Sequence, residues 1–597
     1  MTLLEKTIAA IEVPDSTLSD AAEKSLSAHQ DMDFGRLGDA LLRYIRMTGE
    51  RHPRPPQTSV VISCADHGVA AESVSAYPPE TTLNMMCNYL IAHGGAANAV
   101  ANYAHARLIV ADLGVDADTA HIEGLLHRSI ARGTANMTKG PAMTRAQAVQ
   151  AVETGIELAG LCADRGDRCI LPGEMGISNT TSSAAIVAAI LGLAPEEVTG
   201  RGANISDARL AHKIEIVRRA LAVNRPDAAD GLDVLAKVGG FELGCIAGII
   251  LGAAARRMLV VLDGANTTSA ALIAHALAPN CAYYLLASHG SLSEHSQPHA
   301  LRRLGLTPML RLDIRLSEAA GSSIALDLLG QMLRVWEVID GRQGTTDSPA
   351  PYLLPPTNDT TAERKPMPRI PVPNSAAMEA CQYRLDNLAK PIHSLGYLEQ
   401  IAVRLAGTMR NPQPPADTKA ALLLIAREDR LSRTYTRVLG AMAAHGGIPI
   451  RLLSLPQDRS EAQFRALQHA VKRTAATHPI LLLGTPENDA AKEPLPHAVS
   501  EAVRTAAACG ALILPADAAT DAIVHHIEES SPAVAPYILH ILPDMLDLGA
   551  EPPAGTAGLL ACSIVRAALH TLNDMKTFTE ANVAVAIDGA GAGRQVR

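Results

Sequence analysis

Aromatic side chains are scarce in this 597-residue chain: 3% of residues, with four phenylalanines, eleven tyrosines and a single tryptophan, Trp336. A chain that is nonetheless 48% hydrophobic must build its core from Ala, Leu, Ile and Val. That suits helices packed on parallel strands better than an all-β sandwich. No basic block occurs and the formal net charge is −9, which argues against nucleic acid as a partner, since duplex binding rests on a concentrated cationic footprint. The nine cysteines include no CxxC pair and no metal-type spacing, so reduced thiols, a cytoplasmic protein and no bound metal are expected. No apolar run is long enough to span a bilayer. The longest, Leu243 to Ala255, is flanked by Glu242 and Arg256-Arg257, so no membrane segment is expected. The opening Met1-Thr2-Leu3-Leu4-Glu5-Lys6 lacks the basic-then-apolar order of a signal peptide.

What is present is a repeated strand-loop-helix pattern. Residues 1–57 read as helices and loops, with Leu37, Leu41, Leu42 and Ile45 at helical spacing. Strand-like runs follow at Ser59–Ser63, Leu108–Ala111, Cys169–Leu171, Met258–Leu262 and Tyr283–Ala287. Each ends in a polar or glycine-bearing loop: Asp66-His67-Gly68, Asp112-Leu113-Gly114, Glu174 to Thr181, Asp263 to Asn266, and Ser288-His289-Gly290-Ser291. This predicts an α/β fold, a doubly wound, Rossmann-like parallel sheet with flanking helices. Ligands of such sheets bind at the carboxyl ends of the strands, where these loops are expected to converge. Residues 341–378 carry Pro349, Pro351, Pro355, Pro356, Pro366, Pro368, Pro371 and Pro373 and read as an extended linker. It divides a 1–340 domain from a second, smaller α/β domain at 379–597, with Leu422–Ile425 and Ile480–Leu483 as candidate strands.

The segment richest in chemistry is Gly173-Glu174-Met175-Gly176-Ile177-Ser178-Asn179-Thr180-Thr181. It leads from an apolar run into a buried helix, with glycines that allow a tight turn and residues that cap helices well. A polar loop at a helix N-terminus presents unpaired N–H groups to a phosphate. The same pattern also describes an ordinary strand-turn-helix connection.

Taken in order, these loops resemble the nicotinate-nucleotide:dimethylbenzimidazole phosphoribosyltransferases of cobamide lower-ligand assembly, across roughly residues 35–340. The resemblance rests on Ala65-Asp66-His67-Gly68-Val69-Ala70-Ala71-Glu72, Val74-Ser75-Ala76-Tyr77-Pro78, Gly133-Thr134-Ala135-Asn136, Gly173 to Thr181, Lys237 to Glu242, Val261 to Gly264, and Arg315-Leu316-Ser317-Glu318. It implies transfer of ribose 5-phosphate from nicotinate mononucleotide to 5,6-dimethylbenzimidazole, with no cofactor and with small-molecule partners alone. It also implies roles. Glu318 is the general base, although a lone Glu is more often a solvated helix-end carboxylate. Glu174 orients substrate or stabilises positive charge on the ribosyl ring. Gly176, Ile177, Ser178 and Asn179 belong to the nucleotide loop, while Arg201, Gly202 and Lys213 hold the 5′-phosphate. Lys213 could equally be a solvated helix lysine. Gly264, Ser288, His289, Ser291 and Arg315 shape the ribose and phosphate side. Asp66, His67, Tyr77 and Met85, with Met86 beside it, form the aromatic-base pocket, or are plain core. Where the family has glycines, this chain has Ser178, Ser317 and Ala319, and it has Pro79 in place of a glutamine. These departures bear on the choice of base more than on the reaction. A related transferase using adenine or a phenol, and a non-catalytic binder of nucleotide or base, are the alternatives.

The C-terminal part resembles the same family in pieces. Tyr383 to Glu399 looks like the family's N-terminal segment, of which Phe34-Gly35-Arg36-Leu37 is a worn version. Leu546 to Gly549 and Leu572 to Phe578 look like its terminal helices. Arg427-Glu428-Asp429-Arg430 stands where the first copy has Asp66-His67-Gly68, the nucleotide loop is missing, and Ala554 matches Glu318. The family forms homodimers with sites near the subunit interface. The expectation is therefore an intrachain pseudo-dimer in which residues 379–597 are a non-catalytic partner, with room for further self-association.

Overall fold

Every residue of Thr58–Ala65, strand β1, is buried. A strand buried along both faces needs neighbours on each side and helices above and below. It lies inside a six-stranded parallel sheet with β2 (Arg107–Gly114), β3 (Leu126–His127), β4 (Cys169–Met175), β5 (Leu259–Leu262) and β6 (Leu285–Ala287). The order is β3-β2-β1-β4-β5-β6. The chain builds outward from β1 to β2 on one side and from β4 to β5 on the other. The carboxyl ends of β1 and β4 thus flank a topological switch point. The computed structural model describes residues 1–29, 32–291, 293–341, 369–427, 431–454, 461–486 and 495–592.

The doubly wound sheet is as expected, with differences at its edges. β3, two residues long, is too short to leave a pattern. β4 runs on to Met175, so Gly173 and Glu174 are strand residues rather than loop, because they pair with Ile62 and Ser63 of β1. Tyr283 and Tyr284 fall in a 3-10 turn ahead of β6. The Asp112 loop folds on itself: the Asp112 carboxylate accepts from the N–H groups of Gly114 and Val115 and from the Thr119 hydroxyl, and the loop stays out of the cleft.

A second, four-stranded parallel sheet holds β7 (Ala420–Ala426), β8 (Ile450–Ser454), β9 (Ile480–Gly484) and β10 (Leu512–Pro515), in the order β10-β9-β7-β8. Along β7 the side chains alternate between two cores. Leu422 and Leu424 join the hydrophobic cluster that runs through the N-terminal unit, whereas Ala421, Leu423 and Ile425 join one confined to the C-terminal unit. Most of the expected linker, with Pro349 to Pro368, and the Glu428-Asp429-Arg430 run lie outside the described residues. The linker's expected end at 378 does not hold. Asn374 caps the helix Ser375–Asn387, and the Pro371 carbonyl accepts the Tyr537 hydroxyl at 2.8 Å, so this stretch already belongs to the second unit.

The units meet through exchanged contacts. Arg311 N donates to Met545 O at 2.9 Å, and Asp547 N donates to Met309 O at 2.8 Å. Tyr397 N donates to Leu312 O at 3.0 Å, and Arg36 N donates to Leu548 O at 2.7 Å. Helix Ala320–Ile339 packs on Arg433–His445, and Thr556–Asp574 packs on Ala96–Tyr103. Each contact recurs with the two units swapped, which is how a two-fold interface is built. Gly35 and Gly396, at φ 48° and 56°, open the helices Arg36–Thr48 and Tyr397–Met409. A Cβ on either would stand 2.1 Å from the carbonyl oxygen of Leu548 or Leu312, so only glycine permits this approach.

The helix starts Ala319 and Gly555 are also left-handed, at φ 65° and 79°. An L-residue with a Cβ pays about 1–2 kcal/mol for that conformation, while glycine does not. Ala319→Gly should therefore raise the unfolding free energy by roughly 1 kcal/mol, less glycine's extra unfolded-state entropy. A urea midpoint that falls instead would show that Ala319 is not strained.

Candidate active site

A cavity opens at the switch point. Its walls come from the Val74–Met85 segment after β1, Glu174 to Thr180 at the end of β4, Gly264 to Asn266 after β5, Ser291 and Glu294 after β6, and the Arg201–Ile205 and Ile314–Glu318 loops. Ala389, Lys390, Pro391, Phe578 and Val583 of the C-terminal unit close it.

Two carboxylates are buried in its floor. Glu174 N donates to Ser317 O at 3.0 Å, which seats Glu174 next to Glu318. The side-chain amide of Asn179 donates to one oxygen of Glu174. That of Asn266 donates to the other at 2.5 Å and to Asn179 Oδ1 at 3.1 Å. Burial pushes the Glu174 carboxyl up to about 8, against the pull of these amides. Glu318 Oε2 accepts from Ala97 N at 3.2 Å and lies beside the Tyr89 hydroxyl. Burial pushes this carboxyl up to about 7, partly offset by those donors. A carboxyl poised near neutrality exchanges a proton readily at physiological pH.

One end of the cavity is cationic. Lys213 is 1% exposed, with Nζ donating to Thr180 Oγ1 at 2.8 Å and Gly200 O at 3.0 Å. Burial lowers its ammonium to about 8, although Glu294 pulls the other way. Glu294 Oε1 accepts from Gly202 N at 2.8 Å. Ser178 sits at φ 77°, and its hydroxyl is buried with no hydrogen-bond partner among the described residues. Lys213 and Arg201 bring positive charge to this end, with the Arg201 guanidinium also donating to the Ile205 carbonyl at 2.9 Å and paired with Asp207. Another part of the lining is apolar, with Tyr77, Met85, Ile177, Phe578 and Val583. The Tyr77 and Phe578 rings stack at 6.4 Å with planes 22° apart.

A family model described as phosphoribosyltransferase matches residues 11–340 and 370–432. The chain belongs to this phosphoribosyltransferase family. It is 46% identical over 335 residues to a nicotinate-nucleotide–dimethylbenzimidazole phosphoribosyltransferase of Roseiflexus sp. (strain RS-1), covering 55% of this chain and 93% of that protein. To the protein of the same name from Geobacter metallireducens it is 45% identical over 332 residues, at 55% and 93% coverage. The crystal structure of such an enzyme from Thermus thermophilus superposes with a TM-score of 0.51 and 38% identity, over 54% of this chain and 96% of that one. The family is a transferase family, and no helix among the described residues is long and apolar enough to cross a membrane.

Against this family background, most of the expected site residues line the cavity: Glu174, Gly176, Ile177, Ser178, Asn179, Arg201, Gly202, Lys213, Gly264, Ser291, Arg315, Glu318, Tyr77 and Met85. Lys213 is not a solvated lysine. Ser178 caps nothing with its side chain, since it is itself left-handed. Arg315 donates through Nη2 to the His393 carbonyl at 2.9 Å, so its guanidinium is tied to the C-terminal unit.

Asp66, His67, Ser288 and His289 lie behind the wall instead. Asp66 Oδ2 accepts from Asp116 N at 2.8 Å, pinning the end of β1 to the next loop. His67 is held between Glu242 Oε1 at 2.7 Å and Ser182 Oγ at 3.1 Å, under Gly176. Burial pushes its imidazole down, but the charge and hydrogen bond of Glu242 carry it net upward. His289 bridges Ser288 Oγ and the Ile314 carbonyl, and burial keeps it below its usual range. None of these four lines the cavity, and each packs against the elements that do. Asn266, Glu294, Lys390, Phe578 and Val583 were not expected. Asn266 sits in a loop already singled out and Glu294 just past another, while Lys390 and Phe578 fall in C-terminal stretches that resemble the family and Val583 lies just beyond, with nothing local to mark them as cavity residues.

Beyond the cavity, the Asp521-His525-His540 and Asp386-His393-Glu399 groups bring metal-type donors within 4.8 Å. The imidazoles of His525 and His540 stack at 4.0 Å with planes 2° apart, so their in-plane lone pairs run parallel and do not meet at one ion. Glu399 is already paired with Lys390 Nζ at 2.7 Å.

The buried carboxyls yield a direct test. Glu318 and Glu174 should be protonated below about pH 7 and 8 and ionise above those values. Infrared difference spectra should show buried carboxylic-acid bands that vanish as pH rises through this range. One band should be absent in Glu318→Gln and the other in Glu174→Gln. Bands that titrate near the ordinary glutamate value would contradict the burial argument.

Proposed function

We propose that this chain transfers the 5-phosphoribosyl group of nicotinate mononucleotide to 5,6-dimethylbenzimidazole, giving α-ribazole 5′-phosphate and nicotinate for the cobalamin nucleotide loop. The observation that carries the reading is the buried Glu174–Glu318 pair between a cationic pocket and an apolar, aromatic-lined one. An imidazole nitrogen of the base attacks C1′ of the ribose with inversion. The bond from C1′ to the pyridinium nitrogen breaks, and its electron pair neutralises the leaving nicotinate. Glu318 takes the N–H proton of the base. Glu174, fixed by Asn179 and Asn266, faces the positive charge that grows on the ribosyl ring. Lys213, Arg201 and the Gly202 loop hold the phosphate. The buried free thiols Cys64, Cys162, Cys169, Cys245 and Cys281 are in keeping with a reducing cytoplasm.

Nicotinate release should require both substrates. Glu318→Gln should bind the nucleotide normally and lose about 10²–10⁴-fold in kcat, the usual worth of one general base. Because both carboxylates act in their ionised forms, kcat/KM should fall below about pH 8 as Glu174 takes a proton and more steeply below about pH 7 as Glu318 does, and only the second limb should be missing in Glu318→Gln. Near-normal turnover in Glu318→Gln would remove this residue from the mechanism.

Residues from about 370 onward we read as a silent copy acting as a built-in partner. Ala554 precedes the left-handed Gly555 as Glu318 precedes Ala319, so the second unit has no carboxylate at the matching position. A protease site inserted near residue 360 should give two fragments that remain associated after cleavage and titrate as one active site. Fragments that separate while the first stays fully active would rule out the partner role.

A further inference from the structure

The two-fold contact between the units has a polar centre whose halves differ. Asp327 and Ser563 each lie eight residues past the matching left-handed starts Ala319 and Gly555, on the helices Ala320–Ile339 and Thr556–Asp574. Tyr103 and His445 are each the last residue of the helices that pack across the contact, Ala96–Tyr103 on Thr556–Asp574 and Arg433–His445 on Ala320–Ile339. The turns that follow match as well: Ala106 N donates to Ala101 O at 2.9 Å, and Ile448 N donates to Ala443 O at 2.8 Å. Asp327 and Ser563 thus hold one position in the two units, and Tyr103 and His445 hold another.

All four side chains meet at Asp327, whose carboxylate can only accept. One oxygen takes His445 Nε2 at 2.8 Å. The other takes the Tyr103 hydroxyl at 3.2 Å and the Ser563 hydroxyl. Gln331 Nε2 donates to Ser563 Oγ at 2.9 Å. Burial raises the Asp327 carboxyl, but the hydrogen bond and charge of His445, with the two hydroxyls, carry it net below its ordinary range. We infer that this cluster selects the chain's own C-terminal unit as the partner of the N-terminal unit and rejects a second N-terminal unit. This rests on the built-in partner reading above and names what enforces it.

Two-fold symmetry fixes what each alternative pair would bring together. In a pair of N-terminal units, Asp327 would meet its own copy where it now meets Ser563. Two carboxylates would face each other at hydrogen-bonding distance, with Tyr103 but no imidazole beside them. Like charges that close cannot both stay ionised without a large cost. In a pair of C-terminal units no carboxylate would stand at the centre. His445 would also lose its room, since it lies over Gly330, where a Cβ would stand 2.9 Å from its Cε1. The matching residue of the second unit, eleven past Gly555 as Gly330 is eleven past Ala319, is Arg566. Only the mixed pair sets a single acid among donors with a glycine beneath the imidazole.

The test uses the full chain cut at a protease site inserted near residue 360, with the fragments equilibrated by dilution and weighed by native mass spectrometry. The unmodified protein should show the mixed pair and no pair of N-terminal fragments. Ser563→Asp puts a second carboxylate against Asp327 and should raise the fragments' Kd about tenfold or more, because like charges opposed across an interface cost affinity. Ser563→Asn, of the same size and uncharged, should stay within about threefold. Combining Asp327→Asn with Ser563→Asp leaves a single acid, now on the other unit, and should recover most of the loss. A misfolded Ser563→Asp fragment would show no such recovery. Equal Kd values for Ser563→Asp and Ser563→Asn would overturn the inference. So would a double variant no tighter than Ser563→Asp alone, or pairs of N-terminal fragments in the unmodified protein. If the unmodified fragments separate while the first stays fully active, the built-in partner reading itself falls. If they stay together and only the Ser563 and Asp327 variants depart from this pattern, this inference alone falls.

Discussion

The short seam where Met309 to Leu312 runs beside Met545 to Leu548 is the contact on which the rest depends. Its hydrogen bonds, Arg311 N to Met545 O and Asp547 N to Met309 O, cross between the units in both directions. They register the two sheets against each other. The same seam leads into Arg315, whose N–H and guanidinium both reach carbonyls of the second unit, and from there into Glu318. The seam therefore positions the Ile314–Glu318 loop and the segment that brings Lys390 to the cavity. Because backbone groups make these bonds, they tolerate side-chain drift, which accounts for two units that keep a shared geometry while their loops have diverged.

Burial does most of the electrostatic work in the site. The catalytic candidates are carboxyls raised toward neutrality by loss of water, with amide donors limiting the rise. Around them the remaining buried charges come in pairs: Lys213 with Glu294, His67 with Glu242, Lys390 with Glu399. Pairing keeps a desolvated charge tolerable, since an unpaired one would neutralise or destabilise the fold. Lys213 is the exception in geometry. Its ammonium touches a hydroxyl and a carbonyl rather than a carboxylate oxygen, so Glu294 acts on it through charge alone.

The two units have kept different halves of what a symmetric pair would have. The first keeps the buried carboxylates, the Met175–Thr181 loop and helix start and a six-stranded sheet. The second keeps the terminal segment that clasps the first unit's cavity, and glycine at the left-handed helix start where the first unit has alanine. The strained start Ala319 follows the buried Glu318, whereas Gly555, which bears no such strain, follows Ala554.

The sequence by itself determined the sheet, because buried parallel strands appear as continuous apolar runs and their loops carry the polar residues. It also singled out Glu174, Asn179, Lys213, Arg201 and Glu318, through motifs that resemble the family's, and all five line the cavity. Only the tertiary structure decided which of the motif residues face the cavity. Asp66 and His67 share a motif with the site, yet their side chains turn toward Asp116 and Glu242 because Gly176 and Gly240 leave room for the imidazole there. It alone decided that Phe578 and Val583 are wall residues, since about 500 residues separate them from the Tyr77 and Met85 they join and no local periodicity encodes a contact at that range.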